Sequence, residues 1–268
     1  MDNLFMEYDT HKHPYEERIV AFIDILGFSS LIKRAETEPS ILDRLLSALH
    51  EVRNYTVLGN EMNQPSKGNP VDFFYNMFRM TTFSDCMVLS SKNNLIGLGL
   101  ITLCSAVICN RLIHQGIFTR GAISRGKLLH TDDVVVGAGL VEAYKLESSA
   151  AVYPRVLIAD CLINDLELLA KQGGSIDLRR QDFDGLWHIH IFHPKLFELD
   201  WVPPNSLFGS LKNQYMAAGR SEIESALELN QDPSIRAKIG WLSRYFNEYA
   251  GDFNLPKINI NKKGALIA

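Results

Sequence analysis

The chain has 268 residues, a net charge of −4, and 46% hydrophobic against 22% charged residues. That length is enough to bury a full core, and the balance is that of an ordinary globular protein. The slight acidic excess argues against a partner held through a nucleic-acid backbone, which calls for a basic surface. It leaves room for a small anion held by a few N–H groups and one or two cations.

The first stretch, "MDNLFMEYDTHKHPYEER", is polar and has no apolar signal-peptide core. Residues 1–16 read as a mobile arm, with His11 and His13 inert in it. "RIVAFIDIL" (18–26) is short and rich in Ile, Val and Phe, which predicts a buried strand. "SILDRLLSALHEVRNYTVL" (40–58) follows Pro39 with apolar residues at helical spacing, and 59–70 is dense in Gly, Asn and Pro, a loop. Two strand-like runs follow, 71–83 and "CMVLSS", joined by a tight connection at Ser84–Asp85. "NLIGLGLITLCSAVICNRLIHQ" (94–115) predicts a long helix buried on most sides, too short and interrupted to span a bilayer.

"GIFTRGAISRGKLLH" (116–130) reads as a strand ending in a turn at Arg125–Gly126. "DDVVVG" is a short β segment, 138–150 an amphipathic helix, and 153–160 a buried strand. A helix then runs to Gly173–Gly174, a strand spans 185–192, and 205–252 is helical. The four cysteines, Cys86, Cys104, Cys109 and Cys161, form no CxxC pair and read as free buried thiols in a reducing, cytoplasmic setting. His188 and His190, with Asp182 and Asp184 before them, fit a half-exposed strand better than a metal cluster. "GWLSRYFNEY" (240–249) reads as a packed helix. The order predicts an α+β fold, helices over a mostly antiparallel sheet with a ferredoxin-like core at 17–195. A C-terminal helical extension, 196–268, packs on the same domain.

Asp24 stands inside an apolar run, where an isolated charge is costly. In a split βαβ core its strand neighbours the hairpin that carries Asp85. Two carboxylates at one edge repel unless a cation sits between them, and hard divalent ions take such oxygens along with phosphates. "LGFSS" follows at once. Gly27 permits close backbone approach, and the N–H groups of 26–29 open a helix that can hold phosphate. The residues alone leave a second reading open: Asp24 as a helix cap and Asp85 as an ordinary turn residue.

"FIDILGFSSL" resembles the F-x-D-I-x-G-F-(T/S) signature of the class III nucleotidyl cyclases. "TTFSDCMVLSS" resembles their K-T-x-G-D-x-x-M hairpin, "TRGAISRG" their R-I-G-I-H-x-G, and "VVVGAGLVEAYKLES" their D-V-W-G-x-x-V-N-x-A-x-R-L-E-S. The matches keep the family order and cover roughly residues 18–160. The resemblance implies a class III cyclase catalytic core with two metals, Mg²⁺ or Mn²⁺, per site. Asp24, Asp85 and the carbonyl of Ile25 would hold them, and the N–H groups at Gly27, Phe28 and Ser29 would hold phosphates. It implies attack of the ribose 3′-OH on the α-phosphorus of a nucleoside triphosphate, and a homodimer with composite active sites.

The sequence departs from the family at four positions. Thr81 and Val134 stand where purine cyclases select the base. Val141 and Lys145 stand where they carry a transition-state Asn and Arg. The resemblance implies that Lys145 would neutralise charge there without Arg's bidentate fork, and Arg125 and Arg155 are the candidate substitutes. The chain is similar in this to the pyrimidine cyclases of bacterial anti-phage signalling, which implies UTP, then CTP, as substrate and a downstream effector activated by the cyclic nucleotide. The rival readings are a catalytically inactive cyclase-homology domain that signals by binding nucleotide or dimerising, and a purine cyclase with atypical base contacts. No nucleic-acid or membrane partner is expected.

Overall fold

Alternation along the first apolar run sorts its side chains. In β1 (Glu16–Ile25), Ile19, Ala21, Ile23 and Ile25 join one core cluster, while Val20 and Phe22 join another across the strand. Asp24 keeps step with Val20 and Phe22. The computed structural model describes residues 14–61, 77–173, 176–197 and 213–261. Helices α1 (Phe28–Ala35) and α2 (Pro39–Glu61) follow β1, the latter with Pro at its first position, where a missing N–H costs nothing. A hairpin of β2 (Phe78–Phe83) and β3 (Cys86–Lys92) leads to α3 (Leu95–Ile113), whose first turn is capped by Asn94 accepting from the Gly97 N–H at 2.8 Å.

After β4 (Thr119–His130) and the short β5 (Val135–Val136) come α4 (Ala138–Ala150), β6 (Val156–Ile158) and α5 (Ile163–Lys171). The chain continues through β7 (Arg179–Gln181), β8 (Trp187–Ile189), α6 (Asn213–Leu229) and α7 (Pro233–Tyr249). The sheet order is β2-β3-β1-β4-β6-β8-β7, with β5 on β4. The first four strands pair antiparallel in the order 2-3-1-4, which is compatible with a ferredoxin-like core. β4 and β6 run parallel, so the α+β sheet is mixed.

Helix α3 covers the Ile19–Ile25 face, with Leu98, Ile101, Val107, Ile108 and Leu112 buried. Each such side chain contributes about 1.5–3 kcal/mol relative to exposure. The same cluster continues into Ile223 of α6 and into Trp241, Leu242, Tyr245 and Phe246 of α7, so the C-terminal helices share the core. Helix α3 is long and apolar enough to cross a membrane by length and composition, contrary to the sequence expectation, but 83% of its most apolar 18-residue stretch is buried inside the fold.

Helix α4 covers the other face through Ala143, against Val20, Phe22, Val88 and Leu128. Here the structure corrects the turn expected at Arg125–Gly126: β4 runs through both residues in register with β1. Gly126 serves packing instead. A methyl group on it would stand 2.8 Å from the Cα of Gly139 at the start of α4, and Ser124 Oγ donates to the Gly139 carbonyl at 2.8 Å. The strands expected at 153–160 and 185–192 shrink to β6 and β8, and β7 was not foreseen. Strand β2 begins at Phe78, and residues 71–76 of the expected strand lie outside the described residues. So do most of the arm, most of the loop after α2, and positions 205–212. Cys104 and Cys109 are buried free thiols, but Cys86 is half-buried and Cys161 exposed.

Candidate functional site

The sheet brings the two predicted carboxylates together. In the β1–β3 register Asp24 stands opposite Cys86. Ser84, at φ 53°, turns the hairpin and sets Asp85 beside it, and the Ile25 N–H donates to the Asp85 carbonyl at 3.1 Å. Carboxylate oxygens of Asp24 and Asp85 and the Cys86 sulfur all lie within 4.8 Å of one another, the only such group of metal-competent side chains among the described residues. The Asp24 side chain is 16% exposed.

On the other side β4 places Arg120 opposite Asp24. Its Nε and Nη2 each lie 3.3 Å from Asp24 Oδ2, and Nε lies 2.7 Å from Oε1 of Glu147, a buried residue of α4. One guanidinium thus serves two carboxylates, with Asp85 as a third acid nearby. Burial raises the Asp24 pKa above the usual range; Arg120 opposes this and Asp85 adds to it. Burial likewise raises Glu147, against Arg120 and with Asp24. Burial, then Asp85 and Asp24, push the Cys86 thiol up to about 12, so it stays protonated at neutral pH. Anionic groups outnumber cations here, and a divalent cation with oxygen preference would restore the balance.

Next to this edge, Gly27 adopts φ 75° and ψ 23°, the left-handed conformation that suits glycine, and opens α1 without a side-chain cap. Its carbonyl accepts from the Ser30 and Leu31 N–H groups at 2.9 and 3.1 Å. Among the described residues the Phe28 and Ser29 N–H groups have no backbone acceptor. No atom lies within 4 Å of the place a Cβ would take on Gly27. Free N–H groups at a helix start form an anion site.

The other predicted residues are not gathered here. Thr81 Oγ1 lies 3.0 Å from Nε2 of His130, whose Nδ1 lies 2.8 Å from Ser90 Oγ. Burial, then Arg18 and Arg79, push His130 down to about 3, so the ring is neutral. Val134 is exposed, and its carbonyl accepts from the Thr131 N–H at 2.8 Å. Val141 is exposed on α4, and Lys145, 65% exposed, pairs with Glu142 at 3.1 Å. From α4 it is Glu147, not Lys145, that reaches the Asp24 network.

Both substitute arginines are engaged elsewhere. Arg125 stands opposite Ile19, five residues along β4 from Arg120 and roughly 17 Å away along the strand, and pairs with Asp165 of α5. Arg155 is buried just before β6 and is clasped by Asp182 and Asp184. The reading of His188 and His190 as half-exposed is also corrected. Both are buried against α7, His190 Nδ1 lies 2.8 Å from the Tyr245 hydroxyl, and the neighbouring aspartates belong to Arg155. Sequence reasoning missed Arg120, Glu147, Cys86 and His130. Arg120 and Glu147 sit inside the stretches "TRGAISRG" and "YKLES", but only the β4–β1 register and the docking of α4 show that they meet Asp24. No protein-family model and no curated protein matches this chain.

Proposed function

We propose that the chain is a metal-dependent nucleotidyl cyclase. It converts a pyrimidine nucleoside triphosphate, UTP ahead of CTP, to a 3′,5′-cyclic mononucleotide and pyrophosphate, a messenger for a cyclic-nucleotide-activated effector in anti-phage defence. The observation that carries this reading is the convergence of Asp24 and Asp85 at a strand end beside the Gly27 turn. The donors fit Mg²⁺ or Mn²⁺: Asp24, Asp85 and the Ile25 carbonyl would hold them through oxygen. Such ions, when bound, ease ionisation of the ribose 3′-OH and offset charge on the phosphates.

The chain's own residues supply the rest. The Phe28 and Ser29 N–H groups take phosphate oxygens, and Gly27 lets the backbone approach them. Arg120, kept in place by Glu147, offers a fixed cation where negative charge develops. Neither Thr81, engaged with His130, nor the apolar Val134 offers the contacts that select a purine. A second copy of the chain would complete the site. Exposed Val134, Val136, Val141 and Tyr144 suit such a contact.

One observation favours the inactive-domain reading. Arg120 already neutralises Asp24, and Lys145 is engaged by Glu142. The two separate on product analysis. The purified protein is incubated with Mn²⁺ and each of ATP, GTP, CTP and UTP, and products are resolved by chromatography with mass detection. A single cyclic product, absent for Asp24→Asn, supports the cyclase and names its base. No product from any of the four, with Mn²⁺ still raising the melting temperature, favours the binding module.

A further inference from the structure

A cleft of about 480 Å³ opens between α1, the start of α2, the connection from α3 to β4, and helices α6 and α7. Its volume is that of a small-molecule site. The floor is aliphatic: Leu31, Leu45, Ile117 and Ile239 line it, and Phe118 is its one aromatic residue. Leu229, 69% exposed, and Ile235, 37% exposed, also line it. Three cations face it, Arg34, Arg44 and Lys238, against one carboxylate, Glu222. Glu222 is held by Arg44 at 3.3 Å, and Arg34 only approaches Glu38, at 3.8 Å. Lys238 has no carboxylate partner among the described residues.

An aliphatic floor under one cation without a carboxylate partner, Lys238, and a second, Arg34, held only by a long exposed pair calls for an anion with an apolar body. Phe118 is the single aromatic side chain in the cleft on which a base could stack, so the aliphatic lining favours an alkyl body over a nucleobase. We propose that this cleft binds a free medium-chain aliphatic carboxylate, with its chain on the Leu31–Ile239 floor and its head group on Lys238 and Arg34. Leu26 and Gly27 also line the cleft, so an occupant presses on the turn that follows Asp24. The binding itself stands apart from the cyclase reading, and only a change in turnover would rest on it.

The test is calorimetric titration of the full chain with decanoate, below its aggregation concentration, with decanol as the uncharged control. Saturable binding at one site is expected. Affinity should be roughly tenfold or more weaker for decanol, for Lys238→Glu and for Arg34→Glu, the size of one hydrogen bond to a charged group. Arg34 is exposed, so its variant carries the test if Lys238→Glu melts early. Non-saturable uptake overturns the proposal, as does equal affinity for decanol or unchanged affinity in both variants. A protein that ignores decanoate but sediments with anionic phospholipid vesicles overturns it in favour of a membrane surface.

Discussion

Two charged clusters on one sheet use the same side chains and end in opposite states. At the β6–β8 end Arg155, its side chain 1% exposed, is clasped by Asp182 and Asp184. Every carboxylate oxygen of the pair accepts at least one hydrogen bond there. Asp182 also accepts from Trp241 Nε1 at 3.0 Å and from the Phe183 N–H at 2.8 Å, and Asp184 accepts from the Leu186 N–H at 3.2 Å. The guanidinium lies 5.7 Å from the Trp241 ring centroid, and the hydrogen bond to Arg155 leads the effects that hold Asp184 below the usual carboxylate range. At the β1 end one arginine is divided between Asp24 and Glu147 with Asp85 close by, and among the described residues no backbone N–H donates to the Asp24 carboxylate. There Asp24 and Glu147 are pushed up instead. The supply of donors, more than burial, separates a closed structural lock from a site with capacity left for a cation.

The largest expected effect falls on the closed cluster. Arg155→Leu leaves Asp182 and Asp184 without their cation and should cost about 3–5 kcal/mol in urea unfolding. A loss below about 1 kcal/mol would break the comparison. At the open cluster, Asp24→Asn should change stability by less than about 1 kcal/mol while removing the response to metal. Wild-type protein in about hundredfold excess of Mn²⁺ over its dissociation constant should gain about 2.7 kcal/mol, read as a rise in melting temperature. The Asn variant should gain none, and a retained Mn²⁺ response would remove the metal assignment.

Acid should then affect the two clusters with opposite sign. Burial pushes His188 down to about 4 and His190 to about 3, near the closed cluster, and His130 to about 3. The unfolded chain binds these protons near pH 6.5, so their contribution is complete above that pH and is lost as pH falls toward 3. Asp24 and Glu147 have raised values, so their contribution favours the fold on acidification and is lost as pH rises through those values. Melting temperature should therefore fall as pH drops below about 6.5, His190→Gln should flatten the fall and Asp24→Asn should steepen it. A slope unchanged in both variants would show that neither group drives it. The smallest effect is expected at Lys145. Its ion pair with Glu142 lies on the surface, so Lys145→Ala should shift stability by no more than about 0.5 kcal/mol and leave the Mn²⁺ response intact. Loss of that response would place Lys145 in the site after all.

Part of this contrast is legible before any coordinates. The short apolar run "RIVAFIDIL" marks Asp24 as a carboxylate inside a buried strand, and the Ser84–Asp85 pair announces the tight connection that carries the second one. "LGFSS" announces the glycine opening of α1. Local rules mislead at Gly126, where a turn residue by composition is a contact between a strand and a helix. They mislead at His188 and His190, because alternation cannot say that α7 will cover that face.

The sequence by itself determined most of the order of elements, β7 apart, and it named the two acids that meet at the candidate site. Only the tertiary structure decided which charges meet. Arg120 lies 96 residues from Asp24 and Arg155 lies 27 and 29 from its aspartates. Those meetings depend on strand register and helix docking, which are set by long-range packing. The periodicity of a single segment carries no information about them, and the desolvation that raises or lowers each pKa follows from the same packing.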